Sequence, residues 1–124
     1  VHAMKGEISE AVNHFAKAIR IQPTYFDARQ NLGFAYMQQG ELVAAEREFS
    51  QAVEMAMGGM AFEQKRLEAA KARLASGLNP QDRKATEIEI SSAAKAGRIA
   101  ANKYNRAMSY LQRVRADLSK LAQP

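Results

Sequence analysis

The 124 residues contain no cysteine, so the chain forms no disulfide and offers no thiolate to a metal. That absence leaves the redox compartment open. No apolar run approaches the ~18 residues of a membrane span, and no signal peptide is apparent. Membrane insertion is therefore not expected; the location is left open, with the cytoplasm favoured. Histidine is scarce: His2 and His14 have no spacing that makes them ligands of one metal, and both read as surface residues. Nucleophile and phosphate-loop signatures of the types G-x-S-x-G and G-x-x-x-x-G-K-[ST] are missing, and Gly58-Gly59 alone does not make a phosphate loop. Glu87 and Glu89, at i and i+2, point to different sides of a helix and form no carboxylate pair for acid–base work. No metal, no cofactor and no enzymatic activity are expected.

With 47% apolar and 25% charged residues, the composition is that of one ordinary soluble domain. Charge is unevenly spread. Residues 1–57 hold five Lys/Arg against seven Asp/Glu, whereas 58–124 hold thirteen against six. Within that basic half Arg106, Arg113 and Lys120 fall seven apart and line one stripe of a helix, with Arg98, Lys103 and Arg115 nearby. Such a stripe suits phosphates. The neighbouring Tyr104 and Tyr110 are not interleaved with it, so a solvated face is the better account and nucleic acid ranks behind protein as a partner.

The first half repeats itself at a shift of 34 residues. Gly6-Glu7, Ala11, Phe15, Ala18 and Ile21 recur as Gly40-Glu41, Ala45, Phe49, Ala52 and Met55. Ala11, Phe15, Ala18 and Ile19 share one helix face, where small alanines admit a neighbouring helix and the phenylalanine fills the space between. Gly6 and Gly40 read as turns past a preceding helix, where glycine takes a left-handed conformation at little cost. Pro23 ends the first copy's second helix, and the chain re-enters a helix near Tyr25 to Asp27. At the end of the second copy, Gly58-Gly59 is the expected break.

Both copies read G-E-[IL]-x-x-A-x-x-x-F-x-x-A-[IV]-x-[IM], and Asn31-Leu32-Gly33 with Tyr36 supplies the helix before the second. Over about residues 1–57 the chain thus resembles the tetratricopeptide repeat family, whose period is 34 residues. The resemblance implies an all-α fold of helix–turn–helix repeats stacked as a superhelical solenoid. By this register Val1 to Lys5 are the last turn of the first copy's leading helix, and the chain is expected to be a fragment of something longer.

The family's leading helices line a concave groove that holds protein ligands, which implies Asp27, Gln30, Asn31, Phe34, Met37 and Gln38 as the lining. Helical spacing independently puts these six on one side, with Leu32 and Tyr36 elsewhere. The amide of Asn31 can donate to and accept from an extended peptide backbone, with Gln30 and Gln38 adding contacts. The other reading is a merely polar surface. A protein-binding adaptor or assembly scaffold is the expected function.

Residues 58–124 are expected to form a helical hairpin, or a capping or oligomerising extension. A helix from about Met60 to Ser76 is favoured by its Ala, Leu, Glu, Lys and Arg content, and the cluster Met55, Met57, Met60 reads as core filling. Gly77 and Asn79-Pro80 mark a stop and a restart. From Ile90 through Ala93, Gly97, Ala100, Tyr104, Ala107, Leu111, Val114 and Leu118 to Leu121 the apolar positions trace a heptad seam. A helix from Gln81 to Ala122 would span ~60 Å, against ~26 Å for the one before it. Part of the seam must then be covered by the repeat helices or by a second copy of the chain. Gly97 leaves two readings open, one long helix or a broken pair.

Overall fold

A computed structural model describes residues 5–122, which form four helices: α1 (Lys5–Ile21), α2 (Phe26–Gln38), α3 (Leu42–Ala75) and α4 (Pro80–Ala122). The all-α expectation holds. The chain divides into two compact units. One contains α1, α2, α3 as far as Met55 and α4 from Tyr104; the other is Ala56–Lys103.

In the first unit, local chemistry sets the turn within the second copy. Gly40 adopts φ +78°, its N–H donates to Met37 O (3.0 Å), and Glu41 N–H donates to Tyr36 O (2.8 Å). These two bonds satisfy carbonyls that the end of α2 would leave bare. Glu41 O then accepts from Ala45 N–H (3.0 Å), opening α3. Gly6 does not play the same part: it lies inside α1 and has no positive φ. The expected leading-helix turn at Val1 to Lys5 falls on residues 1–4, outside the described residues, and on Lys5, which opens α1.

The core of this unit joins Phe26, Ala28, Leu32 and Ala35 of α2 to Ala45, Phe49, Ala52 and Val53 of α3, with Ala107, Leu111 and Val114 of α4. Its tightest point is Gly33. A Cβ there would stand 2.7 Å from Phe49 Cε1, so only glycine lets α2 come this close. Phe34 and Tyr110 close the aromatic cluster. Their centroids are 4.4 Å apart, and Phe49 lies 5.5 Å from Phe34 and 5.6 Å from Tyr110, distances at which inclined rings attract.

Arg29 fastens α2 at its other end. Its guanidinium donates to Glu48 Oε1 (3.1 Å), to Gln51 Oε1 and to Pro23 O (3.0 Å), tying the turn before α2 to α3. The Arg29 and Glu48 side chains are only 12% and 11% exposed, so this pair is far less screened than a surface pair. Arg115 Nε to Glu46 Oε2 (3.0 Å) links α4 to α3 through more exposed partners.

In the second unit, α3 passes unbroken through Gly58-Gly59, correcting the expected break. Packing is the reason. A Cβ on Gly59 would lie 3.6 Å from the Ala100 Cβ, and one on Gly97 3.8 Å from the Glu63 Cβ, so small residues bring α3 and α4 together and offset the poor helix propensity of glycine. The helix expected from Met60 therefore begins at Leu42, and at 34 residues against 43 the length mismatch with α4 is much reduced. Gly97 sits within one long α4. The turn between them follows its sequence signals: Gly77 has φ +84°, Asp82 N–H donates to Asn79 Oδ1 (2.8 Å), and Pro80 occupies the first helical position.

Three substitutions test this packing by urea unfolding. Gly33→Ala should destabilise by about 1–3 kcal/mol, because the added methyl has no room beside Phe49. Gly58→Ala should stabilise by about 0.5–1 kcal/mol, since the space around Gly58 is open and its backbone is helical; no gain would mean that the helix is interrupted there. Arg29→Met should cost about 1.5–3 kcal/mol by stranding Glu48.

Candidate surface on the second repeat helix

Helix α2 is covered on most of its circumference. Phe26, Ala28, Gln30, Leu32, Gly33 and Ala35 are buried, leaving a narrow stripe that contains Asp27, Asn31, Phe34 and Gln38 at i, i+4, i+7 and i+11. Asp27, Asn31 and Gln38 are exposed, and Phe34 and Met37 are half-buried. The structure thus brings together four of the six residues expected to line a groove. Met37 lies at their margin.

Gln30 departs from the set. It is 7% exposed, and its Oε1 is buried without a hydrogen-bond partner among the described residues. Phe34 is half covered because Tyr110 packs on its ring. The angular argument put Gln30 on the lining because it treated α2 as covered from one side only. The clamp at Arg29 carried no sequence signal, since Glu48 lies nineteen residues away.

At the edge of the stripe Gln38 borders a polar recess of about 300 Å³ with Ile8, Ser9, Gln39 and Glu41. Gln39 Nε2 donates there to Ser9 Oγ (3.3 Å), joining the end of α2 to the start of α1. Ser9, Gln38, Gln39 and Glu41 bring hydroxyl, amide and carboxylate groups there, all able to hydrogen-bond a polypeptide.

Arg106, Arg113 and Lys120 are all exposed on α4. Tyr110, between them in sequence, is spent on the aromatic cluster, and Tyr104 is half-buried. Elsewhere Met55 and Met60 are half-buried but Met57 is 53% exposed, so core filling accounts for only part of that cluster. His14 is exposed, and His2 lies outside the described residues. Among the described residues no group of three or more His, Asp or Glu is placed to hold a metal ion, and no helix is long and apolar enough to cross a membrane.

A "TPR repeat" family model matches residues 2–40, and a "Tetratricopeptide repeat" model matches residues 26–58. Searches of curated proteins and of solved structures each found no match. Such repeats generally mediate protein–protein interaction and are typically non-catalytic. Helices α1 and α2, the Gly40 turn and the first half of α3 fall within the matched span, so residues 2–58 are a tetratricopeptide-repeat segment and the rest of the chain lies outside both matches.

Proposed function

We propose that the chain is a non-catalytic adaptor or assembly scaffold that holds an extended peptide along the α2 stripe of Asp27, Asn31, Phe34 and Gln38. One observation carries the reading: α2 is enclosed on its other faces, yet keeps this polar line and the edge of one aromatic ring accessible. Asn31 is the central contact, because its amide can pair with both a carbonyl and an N–H of the guest backbone. Gln30 and Met37 support the stripe from its flanks. The terminal part of α4 acts as a cap on the second repeat, a role supported by Tyr110 lying on Phe34 and Phe49. A guest of different sequence is favoured over self-association through α4, because Ala107, Leu111 and Val114 of its seam are buried within the chain itself.

Panning a random peptide library against the whole chain tests this. Selected peptides should lose about three- to tenfold in affinity on Asn31→Ala, the worth of one or two backbone hydrogen bonds, and should be insensitive to salt. Reversing Arg106, Arg113 and Lys120 to glutamate should leave them bound. Ligands whose affinity instead falls steeply with salt and vanishes on that reversal would transfer the function to the basic stripe and to phosphate recognition. Peptides indifferent to Asn31→Ala would remove the α2 stripe from consideration.

A further inference from the structure

The second unit, Ala56–Lys103, has an interior of small residues. Its buried side chains are Ala56, Ala70, Thr86 and Ala93, and none of them is large. Met60 and Leu67 of α3 stay half-buried beside a groove of about 580 Å³, whose other wall is Ala93, Ala94, Gly97 and Ala101 of α4. One wall therefore carries projections and the other hollows. Burying the rest of Met60 and Leu67 is favourable, and two helices alone do not achieve it.

The lips of the groove are polar, and their register is fixed. Gly59 lies beside Ala100, Gly97 beside Glu63, and Arg66 Nη2 donates to Ser92 Oγ (2.8 Å), so α3 and α4 run antiparallel and in step. Continuing that step sets Lys71 level with Glu87 and Gln64 level with Arg98. Lys71 follows Leu67 by four residues and Glu87 precedes Ala94 by seven, which puts both on the groove's side of their helices. Both are exposed, and neither makes an ion pair among the described residues. Gln64 Nε2 donates to Glu68 Oε1 (2.9 Å), which leaves the Gln64 carbonyl oxygen free to accept.

We infer that the groove is the interface of a homodimer, in which a second copy lays its α3 antiparallel along α4 about a twofold axis parallel to the helices. Such an axis keeps every residue at its own level. Met60 and Leu67 of each copy then enter the hollows at Gly97, Ala101 and Ala94 of the other, Lys71 meets Glu87 of the second copy, and Arg98 reaches the carbonyl oxygen of its Gln64. The surface is complementary to itself, as an isologous dimer requires, and the product is an antiparallel four-helix bundle. Pairing α4 with α4 instead would set hollow against hollow and bring Arg98 toward the same residue of the second copy, a like charge. Helix α4 from Tyr104 onward, whose seam is already buried, takes no part. This interface is separate from the α2 stripe, so each reading can fail without the other.

Sedimentation equilibrium of the whole chain at low salt should give a monomer–dimer equilibrium with a Kd on the order of 10 µM, since a contact of about three turns per helix lies at the small end of stable interfaces. Lys71→Glu and Glu87→Lys, both at exposed positions that leave the fold intact, should each weaken the dimer about five- to thirtyfold, because two attractive pairs become repulsive. Mixing the two variants decides the matter. Labelled at their N-termini with donor and acceptor fluorophores, they should form a heterodimer close to the original affinity, because one brings two acids and the other two bases. Pairing of Lys71 with Glu87 inside one copy would not restore it. Ala94→Gln fills a hollow and should abolish association. A monomer up to about 0.5 mM would leave the groove to a helix of another protein and overturn the second copy as its occupant. A dimer indifferent to both reversals or to Ala94→Gln, or a mixture no tighter than its components, would also overturn the inference.

Discussion

The close approach of Gly33 to the ring of Phe49 is the contact on which the repeat unit rests. It sets the spacing between α2 and α3, and that spacing puts Phe34 against Phe49 and both within reach of Tyr110. Every side chain of the α2 stripe takes its orientation from the same helix pair. Arg29 fixes the far end of the pair through Glu48, Gln51 and the carbonyl of Pro23. With one anchor of shape and one of charge, α2 is held at two places just over a full turn apart, which leaves little freedom for it to roll.

The stripe on α2 and the basic line on α4 follow from how each helix divides its circumference. Helix α2 spends most of its surface on packing, so its accessible residues are few and defined. From Tyr104 onward, α4 gives Ala107, Leu111 and Val114 to the core and turns Arg106, Arg113 and Lys120 outward. This separation of apolar and charged faces is what an amphipathic helix on a protein core requires, and it explains the basic stripe without a ligand.

Much of this was legible in the sequence where the signal was local. The repeat period, the turn at Gly40, the end of α1 before Pro23, the start of α4 at Asn79-Pro80 and the long course of α4 all arise from backbone preferences of the residues at those places. The sequence misled where tertiary packing outweighed propensity. Gly58-Gly59 looks like a break, since each glycine costs a helix about 1 kcal/mol, but Ala100 accepts the close surface that Gly59 provides. Gly6 looked like Gly40 by register, and its backbone is helical. Four residues of the candidate stripe were readable from helical spacing. Burial of Gln30 was not, because it depends on how many neighbours surround α2, which periodicity along one helix does not encode.

Duplicated helices carry a hazard during folding: related surfaces can accept each other's partners, and misassembly of this kind is a characteristic failure of repeat proteins. The exchange of Glu48 and Gln51 for His14 and Lys17 answers it within this segment. When α2 first collapses against its neighbours, settling on the Phe15 side of α1 would press Arg29 toward Lys17, whereas settling on α3 delivers it to Glu48. Two helices that share a register are thereby unlike in charge, and α3 is the one that offers Arg29 a carboxylate.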